Sequence, residues 1–243
     1  LADVPSSSSY GQRYNTPYLE SIFVGYRYYE TAGKAVQFPF GYGLSYTKFA
    51  LSDLQASRTN LQSGEGVQLK VKVTNAGDRA GKKVVQVYLS APQGKVFRAS
   101  KELKAFTKVE LQPGQTQELE IGLSYQDFAF WNAQTHTWQV EAGSYEVLVG
   151  SSSVELPLSV WIQLEAPATD QVPNFRDECP QYYQLPQNPI DFSLEQFERL
   201  PGAIEVKDPD RTIGNFDLNS NLWEARYTWQ GRLLTKFALR AAD

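Results

Sequence analysis

Residues 67–89, VQLKVKVTNAGDRAGKKVVQVYL, decide the fold class because they contain two successive strand patterns separated by a turn signal. In the first pattern, Val67 to Val73, apolar and polar residues alternate, which is typical of a β-strand with one buried face. Asn75 to Asp78 then carries residue types that favour a turn. The same alternation returns from Val85 to Leu89. The stretch therefore predicts a mainly β structure.

The alternation extends on both sides of this stretch, from Thr47 to Ile162. Later runs with a period of two are Leu119–Leu123, Tyr145–Val149 and Val154–Ile162, and short segments rich in glycine, proline or serine separate them. About seven short strands over roughly 100 residues are typical of a β-sandwich of the immunoglobulin or fibronectin type III kind. We therefore predict such a sandwich over residues 46–163.

The segments that flank the sandwich have other patterns. Residues 1–20 predict a loop, and the alternation over Ile22–Tyr29 predicts a short strand. Ser193–Gln196 matches a capping box and predicts a short helix. Apolar residues that recur every three or four positions predict an amphipathic helix over about 221–241. Residues 164–243 are therefore expected to form a partly helical extension.

The composition excludes several classes of partner. A net charge of −4 without a clustered basic face argues against a nucleic-acid-binding or anionic-membrane-binding surface. No apolar run approaches the roughly 18 residues that a membrane helix needs. Cys179 is the only cysteine, so an intrachain disulfide is excluded. The lack of disulfides slightly favours the cytoplasm over secretion, but it leaves the location unknown. The start at Leu1 and the lack of methionine predict that the chain is a piece of a larger protein. The composition leaves the oligomeric state open.

Candidate catalytic groups are few. His136 is the only histidine, and without a nucleophile-elbow sequence or further ligands it supports neither a Ser-His-Asp triad nor a zinc site. We predict instead a histidine in a surface hairpin. Gly41-Tyr42-Gly43 lacks the lysine and the helix start of a phosphate-binding loop. We therefore predict no metal or cofactor site in this chain.

Carboxylates are numerous, so composition leaves a glycosidase-type pair of acid and nucleophile open. Most of them lie at the polar positions of predicted strands, where a solvated face is the default. Glu20 and Glu30 are the exceptions because they flank an aromatic-rich segment. For both we favour a structural role.

Aromatic side chains are concentrated in residues 25–49, which could form a sugar-stacking platform, part of an active site or buried scaffolding. A similar choice between sugar binding and packing applies to Trp131, Trp138 and Trp161. Exposed tryptophans stack on sugars in carbohydrate-binding modules. Large aromatic residues in a small sandwich more often fill its core or cap its ends. We therefore expect a packing role for these three tryptophans.

Several segments resemble glycoside hydrolase family 3, the β-glucosidase and β-xylosidase family. Residues 18–30, YLESIFVGYRYYE, and 38–47, FPFGYGLSYT, are similar to the family's junction between an α/β sandwich domain and a fibronectin type III-like domain. Further segments resemble that second domain and occur in the correct order: VVQVYL (84–89), KELKAF (101–106), LQPG (111–114), WQVEAG (138–143) and YEVLVGSS (145–152). Ala105 departs from the family pattern, where glycine is usual. The resemblance implies that residues 1–45 are the end of the α/β sandwich domain and the junction.

The resemblance also implies a retaining glycoside hydrolase as the parent protein. In that family the nucleophilic aspartate comes from an N-terminal barrel and the acid/base glutamate from the α/β sandwich, and neither position lies in this chain. The chain would be the C-terminal structural portion of a β-glycosidase, of the β-glucosidase type, that hydrolyses terminal non-reducing β-D-glycosyl residues. Its partners would be the catalytic domains of the same protein and, through them, a β-glucoside or oligosaccharide substrate. The alternative is an independent carbohydrate-binding or adhesion module.

The same resemblance suggests a role for the aromatic-rich segment, which would lie where a catalytic domain meets the sandwich. We expect Tyr26, Tyr28, Phe38 and Phe40 to be buried or to face that interface. The full set of residues assigned to this predicted seam is Glu20, Tyr26, Arg27, Tyr28, Phe38, Phe40 and Tyr42.

Overall fold

The computed structural model describes residues 4, 5, 7, 9, 16–92, 94–167, 172–185, 192–203 and 228–233. The chain divides into two compact units. The larger unit comprises Leu1–Tyr10 and Tyr18–Ile204, and the smaller comprises Gly11–Pro17 and Glu205–Asp243. In the smaller unit the described residues include one helical turn, in which the Gly231 amide donates to Thr228 Oγ1 at 3.0 Å.

The larger unit contains ten strands and two α-helices within the described residues. The strands are β1 (Phe49–Ala56), β2 (Asn60–Leu61), β3 (Val67–Asn75), β4 (Gly81–Ser90), β5 (Glu102–Leu111), β6 (Thr116–Leu123), β7 (Phe130–Asn132), β8 (Thr137–Gln139), β9 (Gly143–Gly150) and β10 (Leu158–Leu164). The helices are α1 (Tyr26–Thr31) and α2 (Leu194–Glu198), with 3₁₀ turns at Tyr125–Phe128 and Pro180–Tyr182.

The long strands form two facing sheets, and the prediction of a mainly β sandwich is confirmed. One sheet has the order β1-β3-β6, the other has the order β2-β10-β9-β4-β5, and β7 and β8 form a separate hairpin. The pairs are antiparallel except for β2 with β10, which is parallel. Strand β3 buries every second side chain, as the sequence predicts, because only one of its faces lies against the core.

The core between the sheets consists of aliphatic side chains and a few aromatic ones. Its fully buried members include Leu69, Val71, Val73, Val85, Val87, Leu111, Phe128, Tyr145, Val147, Val149 and Ile162. Strand β4 differs from the predicted alternation, since Val85 to Leu89 are all buried. The second face of β4 is covered as well, because Tyr26 of α1 packs on Tyr88.

Two strand predictions need correction. Ile22–Tyr29 does not form a strand: residues 26–31 form α1, and Ile22 and Val24 are exposed without a strand partner. The last strand begins at Leu158 instead of Val154. Residues 151–157 make a loop, in which the Ser151 amide donates to the carbonyl of Glu155 at 2.9 Å.

The two helix predictions have different outcomes. Ser193 caps α2, since its Oγ accepts from the Gln196 amide at 3.4 Å, as the capping-box pattern predicts. The Gln196 side chain accepts from the Gln181 amide instead of closing the box. The predicted helix over about 221–241 lies outside the described residues apart from 228–233.

Asn75, fully buried at the end of β3, joins four backbone and side-chain groups. Its Oδ1 accepts from Thr47 Oγ1 at 2.7 Å and from the Gly77 amide at 3.1 Å. Its Nδ2 donates to the carbonyls of Arg79 at 2.7 Å and Leu111 at 3.0 Å. The side chain thereby ties the segment before β1 to the β3–β4 turn and to the end of β5.

We expect Asn75→Ala to lower the free energy of unfolding by about 1–3 kcal/mol, because it leaves buried donors and acceptors without partners. Urea unfolding followed by tryptophan fluorescence measures this. Gln117→Ala, at an exposed position on β6, is the control and should stay within about 0.5 kcal/mol of the parent chain. Equal effects of the two substitutions would contradict the role given to Asn75.

Candidate functional site

Helix α1 carries three of the predicted seam residues, Tyr26, Arg27 and Tyr28. It begins after Gly25, whose φ of 58° lies in the left-handed region that favours glycine, and whose carbonyl accepts from the amides of Tyr28 and Tyr29. Residues two apart on a helix point in different directions. Tyr26 and Tyr28 therefore contact different parts of the molecule.

Tyr26 packs on the outer face of the five-stranded sheet. Its hydroxyl accepts from the Leu103 amide at 2.9 Å. Its ring stacks on Phe40 with 4.9 Å between centroids and meets the edge of Tyr88 at 5.9 Å. The Tyr88 hydroxyl donates to Gln86 Oε1 at 2.6 Å, and burial raises the pKa of Tyr88.

Tyr28 belongs to a second apolar cluster, outside the sandwich core. The buried members of this cluster are Leu19, Phe23, Tyr28, Ala32, Ala99, Cys179, Tyr182 and Phe192. The Tyr182 hydroxyl donates to the Leu19 carbonyl at 2.8 Å, so the segment after the sandwich is bound to the segment before α1. Burial raises the pKa of the Cys179 thiol, which argues against a reactive thiolate.

The charged residues of α1 are paired with the start of β5. Glu30 Oε2 lies 3.1 Å from Lys101 Nζ, and Glu30 Oε1 accepts from Ser153 Oγ at 2.8 Å. Arg27 Nε lies 3.5 Å from Glu102 Oε1, and the other oxygen of Glu102 lies 3.1 Å from the ammonium group of Lys104. Helix α1 is thus joined to the sandwich through charges as well as aromatic rings.

Glu20 is only 3% exposed, and in the described part of the structure its Oε2 accepts no hydrogen bond. Burial raises the pKa of its carboxyl group above the ordinary value, since the ionised form loses its hydration. A carboxylate so enclosed has little access to a substrate, and the expectation of a structural role agrees with this burial.

The remaining seam residues are exposed in this chain. Phe38, Phe40 and Tyr42 lie in the segment before β1, together with the exposed Leu44 and Tyr46. Tyr28 is fully buried and Tyr26 is half-buried. An exposed apolar patch of this kind is typical of a surface that another protein body covers. The assignment of these residues to an inter-domain seam stays a prediction.

A cavity of about 480 Å³ lies beside α1 and is partly lined by the β7–β8 hairpin. Trp131 and Trp138 line it and are 48% and 57% exposed, and Trp161 on β10 is 58% exposed. The core-filling part of the expected packing role is therefore wrong, and the other part, that these tryptophans cap the ends of the sandwich, stays a prediction. The hairpin is too short to bury both of its faces, so its aromatic pair remains at the surface.

The floor of this cavity is attached to the sandwich core. The Arg98 guanidinium lies over the Phe130 ring, 5.0 Å from its centroid, and Nη1 donates to the Phe128 carbonyl at 3.3 Å. Glu141 Oε2 lies 3.8 Å from Arg98 Nη2, and the Glu141 carbonyl accepts from the Tyr145 hydroxyl at 2.8 Å. Burial raises the pKa of Tyr145 to about 12. No local sequence pattern indicates this floor, because its residues lie far apart along the chain.

His136 lies in the exposed β7–β8 turn, as predicted for a surface hairpin. Among the residues that the structure describes, no group of three or more His, Cys, Asp or Glu side chains could hold a metal ion. Within the same ranges, no helix has the length and apolar character needed to cross a membrane.

Comparison with known proteins identifies the sandwich. A family model described as a fibronectin type III-like domain matches residues 83–153. Thermostable β-glucosidase B of Acetivibrio thermocellus is 40% identical over 156 residues, which are 64% of this chain and 21% of that protein. An exo-α-(1->6)-L-arabinopyranosidase of Bifidobacterium breve is 38% identical over 172 residues, or 70% of this chain and 22% of that protein.

Solved structures of β-glucosidases also match this chain over part of their length. β-Glucosidase 3B from Thermotoga neapolitana, in complex with α-D-glucose, matches with a TM-score of 0.60 and 43% identity over 66% of this chain and 22% of that one. The GH3 β-glucosidase of Bifidobacterium adolescentis matches with a TM-score of 0.63 and 35% identity over 73% of this chain and 27% of that one. The chain spans about a fifth of the length of the curated relatives that it matches. It contains a fibronectin type III-like domain and is homologous to part of the β-glucosidases of glycoside hydrolase family 3.

The burial of Glu20 gives a prediction with a defined pH dependence. Because its pKa is raised in the folded state, ionisation of Glu20 opposes folding once the pH exceeds the ordinary carboxyl pKa. Glu20→Gln should therefore raise the free energy of unfolding at neutral pH. The gain should shrink on acidification and vanish where Glu20 is protonated in both states. Urea unfolding over a pH series measures this.

The control for this prediction is Glu165→Gln, which changes an exposed carboxylate at the end of the sandwich. It should leave the pH dependence of unfolding unchanged. A neutral-pH loss of stability in Glu20→Gln would show that the ionised carboxylate is favourable where it lies.

Proposed function

We propose that this chain is the C-terminal structural portion of a retaining β-glycosidase of the β-glucosidase type. In this proposal the parent protein hydrolyses terminal non-reducing β-D-glycosyl residues, and this chain supports its catalytic domains without supplying a catalytic carboxylate. The observation that carries the proposal is the exposed aromatic segment 38–46 beside α1, in a chain that spans about a fifth of its β-glucosidase relatives.

The carboxylates near α1 support the absence of a catalytic pair. A retaining glycosidase needs two carboxyl groups on either side of the scissile bond, and both must reach the sugar. Glu20 is enclosed, Glu30 is engaged by Lys101 and Ser153, and Glu102 is engaged by Arg27 and Lys104. In the described part of the chain, these groups are arranged as ion pairs and buried scaffold.

The exposed segment supports a role in contact with another domain. Phe38 and Tyr42 lie with 5.3 Å between their ring centroids, and Phe40 is fixed between Tyr26 and the Ser153 amide, which donates to its carbonyl at 2.8 Å. The patch is thus an ordered surface that remains exposed in this chain. We propose that a catalytic domain of the same polypeptide covers it.

The first test is the activity of the 243-residue chain alone. We expect no release of the phenol from an aryl β-glucoside, measured by absorbance against an authentic β-glucosidase as the positive control. Hydrolysis that co-purifies with the folded chain and is lost on its unfolding would overturn the proposal. An independent carbohydrate-binding or adhesion module would also be inert, so a second test is needed.

The second test places Phe38→Ala in the complete parent polypeptide and in the isolated chain. Phe38 is 65% exposed here, so the isolated chain should change by no more than about 0.5 kcal/mol. In the parent the same change should lower stability by about 3 kcal/mol, because it removes a buried aromatic side chain from the interface. Thermal unfolding of both proteins measures this.

Phe106→Ala is the matched control, since Phe106 is 69% exposed on β5 outside the predicted seam. It should have a small effect in both proteins. If Phe38→Ala behaves like Phe106→Ala in the parent, no domain covers segment 38–46, and the independent module becomes the better description.

A further inference from the structure

The β7–β8 hairpin presents an aromatic pair to the cavity beside α1. Trp131 and Trp138 are direct partners in the two-stranded ladder, so both side chains lie on one face of the hairpin. Their rings are 5.5 Å apart and inclined by 68°. Because they are not stacked face to face, each ring keeps an open surface. Both are about half exposed and adjacent, and a contiguous exposed aromatic patch often marks a binding site.

A charged wall lines the same cavity. Arg27 of α1, together with Glu102 and Lys104 of β5, lines it, and the Glu102 carboxylate lies between the two cations. The wall therefore offers donors on both sides of an acceptor. Since Glu102 offsets much of the positive charge, the wall does not have the free cations that attract a phosphate group.

The cavity floor contains a further unsatisfied group. The Arg98 side chain is 9% exposed, and within the described residues its Nε and Nη2 donate no hydrogen bond. Glu141 Oε2, 3.8 Å from Nη2, also has no hydrogen-bond partner there. Buried polar groups in proteins are normally hydrogen-bonded, and Arg98 lines the cavity with two nitrogens that lack such a partner. Its guanidinium could therefore donate to a polar ligand or to a water molecule in the cavity.

These features together match the chemistry of a pyranose. A glucose ring has equatorial hydroxyls at its edge and apolar C–H groups on its faces, so it needs an aromatic surface beside hydrogen-bonding groups of both kinds. The volume of about 480 Å³ lies within the range of small-molecule sites. A purely apolar protein partner would leave the charged wall without compensation.

We propose that this cavity is a binding site for a gluco-configured oligosaccharide, with the sugar faces on Trp131 and Trp138 and the hydroxyls on Arg27, Glu102 and Lys104. The site is non-catalytic and accessory. It goes beyond the proposed function, because the chain binds the sugar by itself, without catalytic domains.

The test uses the 243-residue chain and cellotetraose, a short β-linked glucan. The chain has five tryptophans, and the indole N–H signals are followed by NMR during the titration. The signals of Trp131 and Trp138, assigned by substitution, should shift in a saturable manner, while that of Trp161 should stay in place. Trp131→Ala and Trp138→Ala should each weaken binding by at least about tenfold.

Trp161→Ala is the matched control, since Trp161 is equally exposed but lies on β10 and does not line the cavity. It should bind as the unaltered chain does. Glu102→Gln keeps the shape of the wall and removes the charged acceptor, so it should weaken binding by several-fold while the tryptophan signals still shift. Urea unfolding confirms that each variant is folded.

Three results would overturn the proposal. They are the absence of saturable shifts up to millimolar cellotetraose, equal weakening by Trp161→Ala, and displacement of the sugar by inorganic phosphate at similar concentration, which would assign the cavity to anions. None of these bears on whether the chain hydrolyses an aryl glucoside, so the inert-scaffold proposal can stand or fall separately.

Discussion

The largely enclosed contact between Glu30 and Lys101 attaches helix α1 to the sandwich, and the surface on that side depends on it. With Ser153 on the other carboxylate oxygen, it joins three segments that are far apart in the sequence. Both partners are largely enclosed, so removal of either would leave a buried charge without compensation. With α1 held there, Tyr26 lies on the sandwich, Tyr28 enters the second apolar cluster and Arg27 faces the cavity.

The sequence predicted the sandwich well because a strand with one buried face alternates in polarity, and β3 follows that rule at nearly every position. The sequence-based prediction failed where tertiary contacts override the two-residue alternation of polarity. Strand β4 is covered on both faces, so Gln86 and Tyr88 are buried at positions that alternation assigns to solvent. Helix α1 has only six residues, too few for a helical period to be distinguished from the alternation of a short strand.

The candidate sites were predicted to different degrees. Aromatic density and family resemblance assigned Tyr26, Arg27 and Tyr28 to a seam; all three lie on α1, and their role at a seam stays a prediction. The cavity could not be predicted, because Arg98 and Glu141 approach each other only after β-pairing has placed their segments side by side. The usual preference of tryptophan for a core position was also a poor guide here. Large aromatic residues usually lie in a core, yet the β7–β8 hairpin has no second layer to cover Trp131 and Trp138.

The attachment of the cavity floor to the sandwich has an evolutionary consequence. Arg98 donates to the carbonyl of Phe128, whose ring meets Tyr145 in the core at 5.2 Å. A substitution that reshapes the floor would therefore also affect the packing of the sandwich core. Trp131 and Trp138 on the hairpin rim are about half exposed, so these two positions can vary at less cost to the fold. Descendants of this chain would be free to diversify the rim while inheriting the floor unchanged.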